Sequence, residues 1–229
     1  MAKVNELVYD VREAVKAFSD DTELDNRYIL YQYNNKRAKY LRQDLNQYQK
    51  TVDISITQTL CLALEEVSLD ECGMEYDCGT LLRTTQPLPK PLDLHTKPAI
   101  TKVKPTNRLA ISFNFITKEK AAYADSAPFA KAVYSFYDPD GYLYVYSNSD
   151  SYKLLDCLTV SGVFRDPTAL AAYSTCCNCK VTADTVCFDE DTSEYPLPLH
   201  YIDIIRNEII TELLQKAGVQ EDKINNSTD

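Results

Sequence analysis

The sequence predicts an α+β fold: an N-terminal helical hairpin and a C-terminal helix packed together, with a β-rich block, sandwich-like or barrel-like, inserted between them. Three features predict it. Apolar residues recur at spacings of three and four in the first fifty residues and again after Pro198. Between these ends the pattern changes to short alternating runs rich in β-branched and aromatic residues. Turn residues cut that middle block into strand-sized pieces, most clearly at DPDG, residues 138 to 141.

Val4, Leu7, Val8, Val11, Val15 and Phe18 form one face of a helix over about 3 to 18. Ser19, Asp20 and Asp21 interrupt it. Thr22 followed by Asp25 resembles a capping box, so a second helix is expected from near Glu23 to about Gln49. Its apolar face reads Leu24, Tyr28, Tyr31, Ala38, Leu41, Leu45 and Tyr48. The short connection implies an antiparallel pair over 1–50. Polar and basic positions outside that stripe, including Asn34, Asn35, Arg37 and Arg42, are then expected to face water or a partner subunit.

The β-rich insertion covers 51–165, in the runs ISITQTLCLALEEV, LLRTT, AITKV, LAISFNFI, AVYSFY, YLYVYS and LLDCLTVSGVF. Pro87, Pro89, Pro91, Pro98 and Pro105 make 86–105 an extended arm rather than a central strand, because proline cannot donate to a ladder. The arm has no evident partner within the chain and is expected to reach a neighbour. Asp166-Pro167 opens a short helix, DPTALAAY, with Asp as cap and Pro in the first turn. A Cys-rich loop follows. In LHYIDIIRNEIITELLQ, Ile202, Ile205, Ile209 and Leu213 line one face, with Ile204 and Ile210 widening it. Residues 166–218 are expected to join the helical core, and 219–229 to be a polar tail.

The chain has 229 residues, 45% hydrophobic and 25% charged, which is an ordinary globular composition. No apolar run approaches the roughly 18 residues needed to span a bilayer, and the opening residues mix charge into their apolar pattern. Neither an anchor nor a signal peptide is expected. The net charge of −10 disfavours general nucleic-acid binding. Charge is unevenly placed, however. Arg27, Lys36, Arg37, Lys39 and Arg42 form a basic run, whereas Glu65, Glu66, Asp70, Glu71, Glu75 and Asp77 form an acidic one, as do Asp184, Asp189, Glu190, Asp191 and Glu194.

The eight Cys belong to a chain made in a reducing cytoplasm, where thiols mostly stay free. Cys72 and Cys78 are spaced C-x5-C, and Cys176, Cys177, Cys179 and Cys187 follow as CCxC and C-x7-C, which miss the paired C-x2-C knuckles of structural zinc. No metal or other cofactor is expected. A thiol hydrolase would need Cys beside His95 or His200, and both histidines have ordinary explanations, in a loop and at a helix start. With five glycines and no phosphate-binding glycine motif, nucleotide cradles are excluded. No catalytic residue is assigned. The tyrosine cluster Tyr134, Tyr137, Tyr142, Tyr144 and Tyr146 suits half-buried strands and subunit contacts.

Three stretches carry a resemblance: VNELVYDVREAVKAFSDDTELDNRYILYQYNNKRAKYLRQDLN, then TQTLCLALEEVSLDECG with LRTTQPLPKPL, then YPLPLHYIDIIRNEIITELLQ. Together they resemble the neck ring proteins of crAss-like tailed bacteriophages of gut Bacteroidales. More distantly, the order helix, helix, β insert, helix is similar to head-to-tail adaptors of short-tailed phages. The resemblance implies a structural virion protein, made in the host cytoplasm, that forms a ring of twelve copies on the portal and continues its channel. Its partners would be itself, the portal and other neck or tail rings, with double-stranded DNA passing through and no membrane contact. The basic run would then be an oligomer interface, and Glu65, Glu66, Asp70, Glu71, Asp189, Glu190 and Asp191 would face the channel or a neighbour. The alternatives are a tail-proximal or tail-hub ring, a binding module outside the virion, or a cysteine/histidine-dependent hydrolase.

Overall fold

A computed structural model of the chain describes residues 2–17, 24–48, 52–68, 80–106, 112–121, 132–147, 150–173 and 193–216. The Thr22 cap, the acidic residues from Asp70 to Asp77 and from Asp184 to Asp191, the tail 219–229, and Cys72, Cys78, Cys176, Cys177, Cys179 and Cys187 lie outside the described residues. The fold is α+β, in two compact units: 1–43 with 190–229, and 44–189 between them.

The first unit is helical. In α1 (Val4–Lys16) the buried residues are Val4, Leu7, Val8, Val11 and Val15, the predicted stripe. Glu6 closes its start by accepting the Lys3 N–H at 3.0 Å. The second helix, α2 (Asn26–Tyr48), begins later than the Thr22 signal suggested. Asp25 caps it instead, its Oδ1 accepting the Arg27 N–H at 3.0 Å. The last long helix is α4 (Leu199–Lys216), with Ile202, Ile205, Ile209 and Leu213 buried. Ile204 does not widen that stripe, being 45% exposed on the outer side.

The closest helix approach in this unit is between α1 and α4, whereas α1 and α2 were expected to form the tight pair. A short bridge explains it: the Val4 N–H donates to Ser193 O and the Tyr195 N–H donates to Ala2 O, at 3.4 and 2.9 Å. Asp10, two turns into α1, then stands 3.9 Å from Arg206, two turns into α4, so these helices run in the same sense. Contacts of α2 with α4 run oppositely, Tyr40 meeting Tyr201 and Tyr28 meeting Lys216, so that pair is antiparallel.

The second unit is a seven-stranded sheet, nearly closed into a barrel. Its strands are β1 (Gln58–Ser68), β2 (Thr80–Thr84), β3 (Ile100–Pro105), β4 (Asn114–Phe115), β5 (Tyr134–Tyr137), β6 (Leu143–Tyr146) and β7 (Cys157–Gly162), one in each predicted run. They lie in the order β3-β7-β1-β2-β6-β5-β4. All pairings are antiparallel except β4 with β5. The ends of the sheet meet where the Phe113 N–H, just before β4, donates to Val103 O of β3 at 2.8 Å. Alternation sends Leu60, Leu62, Leu82, Val103, Val145, Leu158 and Val160 into one core, and Val67, Leu81, Phe136 and Tyr144 into a smaller cluster where Phe136 and Tyr144 stack at 5.1 Å. A four-residue helix, α3 (Lys118–Ala121), follows β4.

The DPDG turn forms as predicted between β5 and β6. Gly141 takes φ +92°, its N–H donates to Asp138 O at 2.9 Å, and the Tyr142 N–H donates to Asp140 Oδ1 at 2.8 Å. Lys118 Nζ donates to Asp138 Oδ2 at 2.8 Å, fixing α3 to the turn.

The proline-rich segment is not a free arm. Leu88, Pro89, Pro91 and Leu92 are buried, and Leu88 belongs to the barrel core. Leu88 N–H donates to Gly141 O and Leu92 N–H to Val163 O, both at 2.8 Å. The chain then turns back on itself, Ala99 N–H donating to Leu92 O at 2.9 Å, with residues 93 and 95–97 exposed at the tip. Proline spares the unpaired N–H groups such a plug would otherwise bury. DPTALAAY is a 3-10 turn, Thr168–Ala172, whose Leu170 enters the barrel core instead of the helical unit; Asp166 Oδ1 accepts the Thr168 N–H at 2.9 Å.

Candidate subunit interface

The basic run divides along α2. Arg27, Lys39 and Arg42 are exposed, but Lys36 is 8% exposed and Arg37 is fully buried. This corrects the expectation that Arg37 faces water or a partner. The inward face of α2 is Ile29, Tyr33, Lys36, Arg37 and Leu41, and it also takes in Asn34 and Ala38, whereas Tyr31 of the expected stripe is 59% exposed. What permits Arg37 to turn inward is the segment Tyr195-Pro196-Leu197, all buried. Arg37 Nε donates to Pro196 O at 2.8 Å and its guanidinium lies 5.9 Å from the centre of the Tyr195 ring. Tyr195 in turn donates its hydroxyl to Asn34 Oδ1 at 2.8 Å.

Tyr33 packs edge-on against Tyr195, ring centres 6.1 Å apart, yet its buried hydroxyl finds no hydrogen-bond partner among the described residues. Burial pushes this phenol well above its ordinary pKa. Removing an unsatisfied buried hydroxyl while keeping the ring is favourable. Tyr33→Phe should therefore stabilise the chain by about 1 kcal/mol, read as a higher urea midpoint.

Lys36 donates to Glu208 at 3.0 Å and also to Glu212, both on α4, and Tyr40 donates its hydroxyl to Glu208. Burial disfavours the charge on Lys36, but its hydrogen bonds to Glu212 and Glu208 outweigh that and raise its pKa. Burial likewise works to raise Glu208, and the bonds from Tyr40 and Lys36 outweigh it and hold its pKa low. A depressed carboxylate stabilises the fold above its unfolded pKa and loses that contribution as pH falls through the folded value. The urea midpoint should thus drop between about pH 5 and pH 3, and Lys36→Met should flatten that dependence.

In the second unit, the acidic candidate Glu65 is committed within its own sheet. Arg83, its cross-strand partner, donates to Glu65 Oε1 from Nε at 3.1 Å and Nη2 at 2.6 Å, and lies 4.7 Å from the centre of the Tyr142 ring. Glu66 is exposed. His95 is exposed at the proline-rich tip, its backbone N–H donating to Asn46 Oδ1, and the exposed His200 ring lies tilted at 44° to that of Tyr201, centres 4.2 Å apart. Cys61 is a buried thiol 3.6 Å from the Thr159 hydroxyl, while Cys157 is disulfide-bonded. Among the described residues no group of three or more His, Cys, Asp or Glu could hold a metal ion, and no helix is long and apolar enough to cross a membrane.

Outer faces remain on the helical unit: Arg27, Tyr31 and Arg42 on α2, Tyr9 on α1, and Leu199, Asp203 and Ile204 on α4. Exposed aromatic, aliphatic and charged residues fixed on rigid helices are the equipment of a structural assembly subunit. The chain belongs to the phage tail ring protein 2 family, whose profile matches residues 6–229. It is similar to Ring protein 2 of Bacteroides phage crAss001, 24% identical over 226 residues, covering 98% of this chain and 96% of that protein. It is accordingly a structural ring protein of a phage virion.

Proposed function

We propose that the chain forms a closed ring of twelve identical copies in the phage neck, stacked on the portal, which continues the DNA channel toward the tail. The observation that carries this reading is the family match along nearly the whole chain. A closed ring needs each copy to present two different surfaces that do not overlap, and the helical unit carries exposed residues on three separate helices. The net charge of −10 suits a channel wall, since duplex DNA slides past acidic surface without binding its phosphates. Of the basic run, Arg27, Lys39 and Arg42 are the exposed members, and of the acidic candidates within the described residues, Glu66.

A second reading places the ring farther down, on the tail side, and the family's own description as a tail ring favours it. High-resolution imaging of purified virions tests both. A ring of this chain against the portal, with twelve copies, is the expected result. A ring separated from the portal selects the tail-side reading, and absence of the chain from virions rejects both.

A further inference from the structure

We propose that neighbouring copies interlock head to tail through the helical unit, the Asp203–Ile204 ridge of α4 in one copy seating in the cleft between α1 and α2 of the next. This rests on the ring reading above and names the contact that builds the ring. The cleft measures about 290 Å³. Val4, Val8, Tyr9 and Leu30 give it an apolar wall, Arg12 and Arg27 give it two cations, and among the described residues no acid lines it. Arg27 is exposed in the first turn of α2, and its guanidinium has no ion-pair partner among the described residues.

The ridge has the complementary character. Ile204 is 45% exposed on a helix whose other apolar stripe is buried, and beside it the Asp203 side chain is 73% exposed, held only by Arg206 of its own turn at 3.1 Å. An aliphatic knob next to an anion thus faces an apolar hole next to two cations. Position matches as well. The α4 helix meets α1 on the flank where Asp10 faces Arg206, whereas the cleft opens along the other flank, at Tyr9 and Arg12. Neither surface covers the other, so every copy can use both at once, as a heterologous ring contact requires. Complementarity in polarity and in sign between two parts of one chain commits the occupant to a second copy.

Sedimentation velocity of the full chain, over concentrations up to its solubility limit, tests this. Arg27→Glu and Asp203→Lys are each expected to raise the concentration needed for self-association by about tenfold, and Ile204→Lys to do the same. Glutamate in the first turn of a helix is favourable, and Asp203 and Ile204 are surface positions, so circular dichroism should be unchanged. An equal mixture of Arg27→Glu and Asp203→Lys should recover association, because alternating copies pair the two new charges at one junction and the original two at the next. Unchanged association in all three variants, loss without recovery in the mixture, or a wild-type chain that stays monomeric overturns the inference. Virion imaging judges the ring reading separately: rings built normally by the three variants reject only this contact, and absence of the chain from virions rejects the reading beneath it.

Discussion

Arg37→Glu should destabilise the chain by about 4 kcal/mol, a large share of the stability of an ordinary domain. The guanidinium is fully buried between α2 and the Tyr195-Pro196 segment, with Nε on Pro196 O at 2.8 Å. Glutamate there would place an anion beside a carbonyl oxygen, with no donor in place of the one removed. Arg37→Met keeps most of the volume and removes the charge, so it should lose much less, because exchanging a buried ion for a well-packed apolar group is often close to neutral. Arg42→Glu, at an exposed position, should change stability by less than about 0.5 kcal/mol. Urea titration followed by the helical dichroism signal separates the three. Equal midpoints for Arg37→Glu and Arg42→Glu would show that the buried cation has no structural role. A substitution at Arg37 therefore reports on folding and not on a surface contact.

Gly162→Val should cost about 3 kcal/mol or more and act on the barrel. At the end of β7 a Cβ on residue 162 would lie 2.8 Å from Ala99 O and 3.3 Å from Ile100 Cα, both backbone atoms that cannot swing aside. Gly162 pairs with Gln58 on one side and Ile100 on the other, and the adjoining Val163 N–H donates to Ala99 O at 2.9 Å. Pushing the strands apart would break that bond and loosen the proline-rich plug, whose Leu92 is bonded to Val163. Even alanine should be costly here, unlike at a surface glycine. The expected readout is a fall in melting temperature with loss of near-ultraviolet tyrosine signal; a melting temperature within a degree or two of wild type would mean that the two strands separate freely.

Much of the architecture was legible because it depends on local spacing. Val4, Leu7, Val8, Val11 and Val15 could bury one face only as a helix, and each of the seven alternating runs became one strand. DPDG marked its turn because Gly supplies the positive φ and the Asp side chain satisfies a turn N–H. The helix α2 was harder. It carries two competing stripes, one through Tyr28, Tyr31 and Leu45 and one through Ile29, Tyr33, Arg37 and Leu41 at steps of four. The predicted face held Ala38 and Leu41, which are buried, but also the exposed Tyr31, and it left out Ile29, Tyr33 and Arg37.

By itself, then, the sequence determined which of the long segments are helix or strand, and the family to which the chain belongs. Tertiary structure alone decided which way α2 turns, that α1 lies closest to α4, and that the proline-rich segment plugs its own barrel. The physical reason lies in range. Periodicity is set by neighbours three or four residues away, but whether a cation can be buried depends on an acceptor waiting for it, and the one that receives Arg37 lies 159 residues along the chain at Pro196.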